Sequence, residues 1–143
     1  MPFGDGSTTQ GAERVAIEQT KPIRLAAVGD LHCTKASLGQ FAPWLRKVNE
    51  VADILLLCGD LTDYGTPEEA HVLAKELSVV RVPMLGVLGN HDYESGKAEQ
   101  VTEILFEAGV TLLSGDSVEV AGVGFTGVKG FAGGEDFAAE HPL

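Results

Sequence analysis

With 143 residues, 44% of them hydrophobic, the chain is long enough for one globular domain with a substantial core, and two domains are not expected. Its 10 Lys and Arg against 21 Asp and Glu give a formal net charge of -11, which disfavours nucleic acid as a partner. No apolar run is long enough to cross a bilayer, and residues 1–20 lack the apolar stretch of a secretory signal. We therefore expect a cytoplasmic protein with no membrane partner.

Residues 1–20 are rich in Gly, Ser, Thr and Gln, which predicts a flexible N-terminal arm before a folded domain of residues 21–143. That domain begins with three continuous apolar runs, IRLAAVGD, DILLLCGD and VPMLGVLGN, each ending in Gly and a polar residue. Such runs are typical of strands in a parallel sheet that helices cover. Cys58, inside the second run, is accordingly predicted to be a small buried side chain.

Helical periodicity separates the apolar runs. The first helix is predicted over residues 38–51, although Pro43 restricts where it can begin. The second is predicted to begin at Thr66, because Thr is a good N-cap residue and Pro67 suits the first turn. Strands that alternate with helices in this way predict βαβ repeats, and hence an α/β fold.

A third helix is predicted over residues 97–108, with Gly109 as its stop signal. The stretches VTLL, SVEVAG and VGFTGV follow, with turn residues at Gly115-Asp116 and Ala121-Gly122. This pattern predicts short strands joined by tight turns.

Each apolar run delivers polar side chains to what should be one edge of the sheet. They are Asp30 and His32 after the first run, Asp60 after the second, and Asn90 and His91 after the third. Ligands of open α/β sheets bind beyond the carboxyl ends of the strands. In an extended Asp-x-His segment, both side chains point to the same side and can reach one ion. Carboxylate and imidazole ligands together favour Mn, Fe or Zn over Ca.

Each motif also has an ordinary explanation when it is taken alone. A Gly-Asp pair after a strand is usually a turn or a helix cap, and a single His is more often on the surface than bound to a metal. Three motifs with complementary ligands, each at a strand end, are harder to explain as turns. The combination therefore predicts a metal site.

The succession GDLH, GDLTD and GNHD resembles the first three motifs of the calcineurin-like metallophosphoesterase superfamily, over residues 23–92. The resemblance implies two divalent metal ions, Mn, Fe or Zn. Asp30 and His32 would bind the first ion, Asp60 would bridge the two, and Asn90 would bind the second through its side-chain oxygen.

The same resemblance implies two catalytic residues. His91 would face the phosphate, and Asp92 would orient the ring of His91. The reaction would be hydrolysis of a phosphomonoester or a phosphodiester by a hydroxide that bridges the metal ions. No Ser or Cys nucleophile is needed, and Cys33, next to His32, is predicted to point away from the site.

The resemblance also implies an αββα sandwich, and this chain would be a truncated form that supplies one of its sheets. The family's later ligands, a His after a strand and a G-H-x-H motif, have no counterpart here. His71 is predicted to be a surface or packing residue of the second helix, and His141 resembles the start of the fourth motif but follows acidic residues. We therefore predict the N-terminal part of the domain, with an uncovered sheet face that could drive self-association.

Three functions remain open at this level: a phosphoesterase for a small-molecule or phosphoprotein substrate, a metal-binding module without activity, and a nuclease. The acidic composition argues against the nuclease. Tyr64 and Tyr93, which follow the second and third motifs, are either pocket residues or ordinary loop aromatics. Phe131, in a glycine-rich stretch, is a candidate lid residue.

Overall fold

A computed structural model describes residues 21–130 and contains two sheets. Four parallel strands form the first sheet: β1 Leu25–Val28, β2 Ile54–Cys58, β3 Met84–Val87 and β4 Val110–Leu112. Three helices connect them: α1 Ala42–Val51, α2 Pro67–Leu77 and α3 Ala98–Glu107. The second sheet is an antiparallel hairpin of β5 Ser117–Val120 and β6 Val123–Thr126.

The strand order in the parallel sheet is β1-β2-β3-β4, so every strand lies next to its neighbour in sequence. Leu25 pairs with Ile54, Leu55 with Met84, and Met84 with Val110. Each crossover contains a helix, as parallel pairing requires. The predicted α/β fold with βαβ repeats is therefore confirmed.

One face of the sheet packs against the helices and forms the core. Leu55 and Leu57 of β2 lie in the same hydrophobic cluster as Leu73 and Leu77 of α2 and Leu105 of α3. All five side chains are at most 1% exposed. Because burial of apolar surface is the main favourable term in folding, this face supplies most of the stability of the described region.

The helix boundaries follow local sequence signals. α1 begins at Ala42 and not near residue 38, since Pro43 occupies its first turn, where a missing N–H costs nothing. α2 begins with a capping box in which Thr66 and Glu69 each accept a hydrogen bond from the other's backbone N–H. α3 is followed by Gly109, with φ of 96°, as the sequence predicts.

Glu76 is a buried carboxylate that connects two helices. It belongs to α2 and is 3% exposed, and its Oε1 accepts the backbone N–H groups of Phe41 and Ala42 at the start of α1. Burial by itself raises the pKa of this carboxyl, but several backbone N–H groups outweigh it and hold the pKa below its ordinary value. A carboxylate at the positive end of a helix also interacts favourably with the helix dipole.

The opposite face of the sheet is only partly covered. Leu25 is 50% exposed, and Cys58 is exposed at the end of β2. The prediction that Cys58 is buried is wrong, because successive side chains alternate between faces and Cys58 lies opposite the helices. A cavity of about 140 Å³, lined in part by Leu56, Val87 and Phe125, lies between this face and the hairpin.

Ala121 and Gly122 form the hairpin turn, and both have positive φ, of 54° and 79°. Two such residues are the signature of a turn that matches the twist of the flanking strands. The turn predicted at this position is therefore confirmed. The predicted arm of residues 1–20, Phe131 and His141 lie outside the described residues. Among residues 21–130, no helix is long and apolar enough to span a bilayer.

Candidate metal centre

Three of the predicted ligands have an unusual backbone conformation. Asp30, His32 and Asp60 have φ of 55°, 45° and 50°, in the left-handed region that few residues other than glycine enter. The segment from Asp30 to His32 is therefore not extended, unlike the prediction. Strain of this kind persists only where the surrounding structure imposes it, and it concentrates at functional sites.

Backbone hydrogen bonds between the first two loops impose this conformation. The N–H of Asp30 donates to the Gly59 carbonyl at 3.0 Å, and the N–H of His32 donates to the Asp60 carbonyl at 2.9 Å. The N–H of Cys33 then donates to the Leu61 carbonyl at 3.0 Å. The pairing of β1 with β2 thus continues past the strand ends, and it holds the two ligand-bearing loops side by side.

Asp30, His32 and Asp60 form one candidate metal cluster, with ligand atoms within 4.8 Å of one another. His32 Nε2 lies 4.0 Å from Asp30 Oδ1 and 4.0 Å from Asp60 Oδ2. Two atoms that bind one transition metal at about 2.0–2.2 Å each can be at most about 4.4 Å apart. Both distances are below that limit, so His32 can share an ion with either carboxylate without large movement.

Asp60 has one oxygen fixed and one directed toward the cluster. Its Oδ1 accepts the backbone N–H of His91 at 3.0 Å, while Oδ2 is the atom near His32. Gly89 packs directly against the carboxylate, and a side chain at that position would collide with it. Asn90, the first residue of a short 3-10 helix, follows Gly89 and is half-buried.

A second candidate cluster contains His32, Asp63 and His91. Asp63 Oδ1 lies 3.4 Å from His32 Nδ1 and 3.9 Å from His91 Nδ1. The two imidazole rings are in edge contact, with centroids 4.5 Å apart. Sequence reasoning did not assign a role to Asp63, although the second Asp of GDLTD was the signal that could have identified it.

The ring of His91 is held by the second loop. Its Nδ1 lies 2.7 Å from the Asp63 carbonyl oxygen, which can only accept, so Nδ1 carries the proton and Nε2 remains available. This hydrogen bond is the largest cause of a raised pKa for His91. Burial opposes it, and the carboxylates of Asp60, Glu94 and Asp63 add to it.

Asp92 occupies a different place from the one predicted. It is fully buried, and its carboxylate accepts the backbone N–H groups of Leu61, Thr62 and Gly89 and the Thr62 hydroxyl. The ring of His91 is instead held by Asp63. The structural reason is that Asp92 points into the protein, where it connects the second and third loops.

Cys33 is fully buried, and its contact with Glu69 of α2 directs the side chain away from the metal clusters, as the sequence analysis predicts. Its thiol donates to the carbonyls of Thr34 and Glu69 at 3.7 Å. Burial is the main cause that raises the pKa of this thiol to about 11, so it is protonated at neutral pH and unsuited to nucleophilic attack. His71 is exposed on α2, which agrees with the surface role predicted for it.

The donor set of the two clusters contains carboxylate oxygens and imidazole nitrogens. This mixture suits Mn, Fe or Zn, while an all-oxygen site would favour Ca or Mg. Asp30 has 79% of its side chain exposed, so one side of the site is open to a substrate. The residues therefore fit divalent transition metals at an accessible edge of the sheet.

The sequence profile of the calcineurin-like phosphoesterase family matches residues 23–135. The chain belongs to the calcineurin-like phosphoesterase family. The match covers all three motifs, and the superfamily resemblance read from them is confirmed. A comparison with curated proteins finds no matching relative.

For a calcineurin-like phosphoesterase, the two clusters lie where a metal site is expected. The family as a whole carries out metal-dependent hydrolysis of phosphoesters, and the clusters supply candidate ligands for divalent metals. The described region contributes the three motif loops and the sheet that supports them.

Proposed function

We propose that this chain hydrolyses a phosphomonoester or a phosphodiester with two divalent metal ions bound at the carboxyl edge of its parallel sheet. The observation that carries the proposal is the convergence of Asp30, His32 and Asp60, with ligand atoms within 4.8 Å of one another. Their left-handed backbone conformations support it, since strained backbone positions concentrate at functional sites.

In this proposal Asp30 and His32 would hold the first ion, Asp60 would be shared by both ions, and Asn90 would hold the second. The ions would neutralise charge on the phosphate and activate water for attack, so that the protein needs no nucleophile of its own. Asp60 presents its Oδ2 to the site, because the backbone N–H of His91 holds the other oxygen in place.

His91 would act on the phosphate group. Because Nδ1 is engaged by the Asp63 carbonyl, Nε2 is the atom left to hold a proton or to contact a phosphate oxygen. Asp92 then has an indirect role, since its hydrogen bonds to Leu61, Thr62 and Gly89 keep the second and third loops together. Substrates would be small-molecule phosphoesters or phosphoproteins, because a net charge of -11 disfavours nucleic acid.

A metal-binding module without activity is the second candidate. One observation favours it: the two clusters of described residues share His32, so each has only two side chains of its own. Few protein ligands leave much of a metal's coordination open, which would make the site an incomplete one that binds metal without turnover. Measurements of bound metal and of turnover therefore distinguish the two functions.

The test is hydrolysis of p-nitrophenyl phosphate and bis-p-nitrophenyl phosphate by the full chain, stripped of metal and then supplied with Mn²⁺. We expect manganese-dependent turnover that falls at least about a hundredfold in Asp60→Asn and His91→Ala. His71→Ala, which removes an exposed imidazole from α2, is the matched control and should keep full activity.

Bound metal, measured on the same samples, separates the candidates. Two equivalents of Mn²⁺ with no turnover would support the metal-binding module. Turnover that persists in Asp60→Asn would contradict the proposed site itself. Cleavage of DNA at a rate above that of either phosphoester would instead favour a nuclease.

We also propose that the open face of the sheet mediates self-association. Leu25 is 50% exposed, and Leu56, which pairs with Ala27 on the same face of the sheet, is half-buried. Static light scattering should show a mass that rises with concentration, and Leu25→Glu should reduce the rise. A constant monomer mass over the whole concentration range would contradict this proposal.

A further inference from the structure

A groove runs beside the third motif loop, between that loop, α3 and the end of β4. Its larger part, of about 370 Å³, is lined in part by Glu99 and Glu103 of α3. Its smaller part, of about 150 Å³, is lined in part by Lys129. Leu88, Tyr93 and Thr102 line both parts, so the two are adjacent.

The groove begins next to the candidate metal centre. The backbone N–H of Gly130 donates to the Leu88 carbonyl at 3.2 Å, at the tip of β3. A Cβ placed on Gly130 would lie 4.0 Å from the Cα of Gly89, the residue that packs against the Asp60 carboxylate. Lys129 is therefore carried by a segment that passes along the same edge as the ligands.

The side chain of Lys129 has a defined position. Its Nζ lies 4.3 Å from the centroid of the Tyr93 ring, in a cation–π contact. Within residues 21–130, Lys129 forms no ion pair with a carboxylate, although Glu99 and Glu103 line the far part of the groove. Its positive charge is thus held by an aromatic ring and left without an anionic partner in the described part of the chain.

We propose that Lys129, held by Tyr93, forms a subsite for a second anionic group, a phosphate or a carboxylate, on the substrate. Its role as part of a substrate site rests on the proposed phosphoester hydrolysis. The smaller cavity, of about 150 Å³, has room for one such group. Glu99 and Glu103 repel an anion from the other end, so the group is confined to the end that contains Lys129.

The subsite also provides specificity. A substrate with a second anionic group gains a charge-assisted contact that a simple phosphomonoester does not make. The chain has 10 basic residues against 21 acidic ones, so most of its surface repels anions. A single lysine in a fixed position therefore has a large effect on where an anion binds.

The first experiment uses inorganic phosphate and the metal-free full chain, so that the carboxylates of the metal centre repel the anion. Amide resonances in a nitrogen–proton correlation spectrum should shift saturably around Leu88, Tyr93 and Gly130. Lys129→Met should raise the Kd for phosphate about tenfold, the effect expected for the loss of one charge-assisted hydrogen bond. Lys129→Arg should keep the Kd within about threefold.

Lys75→Met is the matched control, because it removes an exposed lysine of α2 and causes the same change in net charge. It should leave the Kd within about twofold. Should Lys129→Met not show the native spectrum, Lys129→Gln serves the same comparison. Shifts confined to other regions, or an equal Kd in wild type and the neutral variants, would overturn the proposal.

The second experiment uses the metal-loaded chain with glucose 6-phosphate and glucose 1,6-bisphosphate, which differ by one phosphate. Lys129→Met should lower kcat/KM about tenfold for the bisphosphate and less than about twofold for the monophosphate. Equal losses for both would overturn the subsite. Absence of turnover with either substrate would count against the proposed function, while phosphate binding by the metal-free chain would still decide on the anion subsite.

Discussion

The helix-covered body of the sheet and its carboxyl edge are built in opposite ways. In the body, Leu55, Leu73 and Leu105 are at most 1% exposed and pack in one hydrophobic cluster. At the edge, Asp30 and His32 have left-handed backbones, with 79% and 36% of their side chains exposed. Burial of apolar side chains in the body thus stabilises the fold. This stability offsets the cost of the strained backbone conformations that position the polar groups at the edge.

The largest expected effect is on the body. Leu55→Ala removes a fully buried side chain and should lower the free energy of unfolding by about 2–5 kcal/mol. Leu25→Ala, on the open face of the same sheet, should cost less than about 1 kcal/mol, since that side chain is 50% exposed. Urea unfolding of both variants measures the difference, and equal losses would contradict the assignment of the two faces.

Asp92→Asn affects the junction between body and edge. The substitution places an amide N–H₂ among four hydrogen-bond donors, and we expect a loss of about 2–3 kcal/mol in unfolding free energy. Metal affinity should fall as well, because the second and third loops separate. Asp116→Asn is the control, since Asp116 accepts the N–H of Ser114 at an exposed site and should lose far less. A stable Asp92→Asn variant with normal metal binding would show that the junction is not needed.

Glu76→Gln tests a polar contribution within the body, and we expect a loss of about 1–2 kcal/mol at pH 7. The pKa of Glu76 is lowered in the folded chain, so its contribution to stability is full above the ordinary value of 4.5. It is lost as the pH falls from there through the lowered pKa. Wild type should therefore lose its advantage over Glu76→Gln in this acidic window, as urea unfolding at several pH values would measure. Glu103→Gln, an exposed change on α3, should leave the wild-type profile unaltered, and a constant advantage of wild type would refute the prediction.

The smallest effect is expected at the edge and has the opposite sign. Asp30→Gly relieves a positive φ and should raise the unfolding free energy of the metal-free chain by up to about 1 kcal/mol. It should also weaken Mn²⁺ binding, which a metal titration would show. Ala121→Gly makes the same kind of change at the hairpin turn and should stabilise without affecting metal binding. A destabilised Asp30→Gly chain would mean that its backbone conformation carries no strain.

Much of the fold was predictable because its signals are local. Apolar runs ending in glycine identified β1, β2 and β3, and the Thr66 cap with Pro67 identified the start of α2. The main miss was Cys58, because a continuous apolar run does not reveal which face of a strand the helices cover.

Part of the candidate site was predictable from the motifs, although Asp63, a member of the second cluster, was not. The motifs identified Asp30, His32 and Asp60, and the structure brings their ligand atoms together. The partners of the remaining polar groups were not predictable, because they depend on contacts between loops far apart in sequence. Asp63 holds the ring of His91, and Asp92 connects two loops, although sequence reasoning had paired His91 with Asp92.

The sequence by itself determined the order of strands and helices, the edge at which the ligands meet and the family to which the chain belongs. These follow from periodicity, caps and short motifs, all of which act within a few residues. Only the tertiary structure decided the left-handed backbone of the ligands, the buried position of Asp92 and the groove that contains Lys129. The reason is that each of these depends on hydrogen bonds or packing between segments about 30 or more residues apart, which no local pattern encodes.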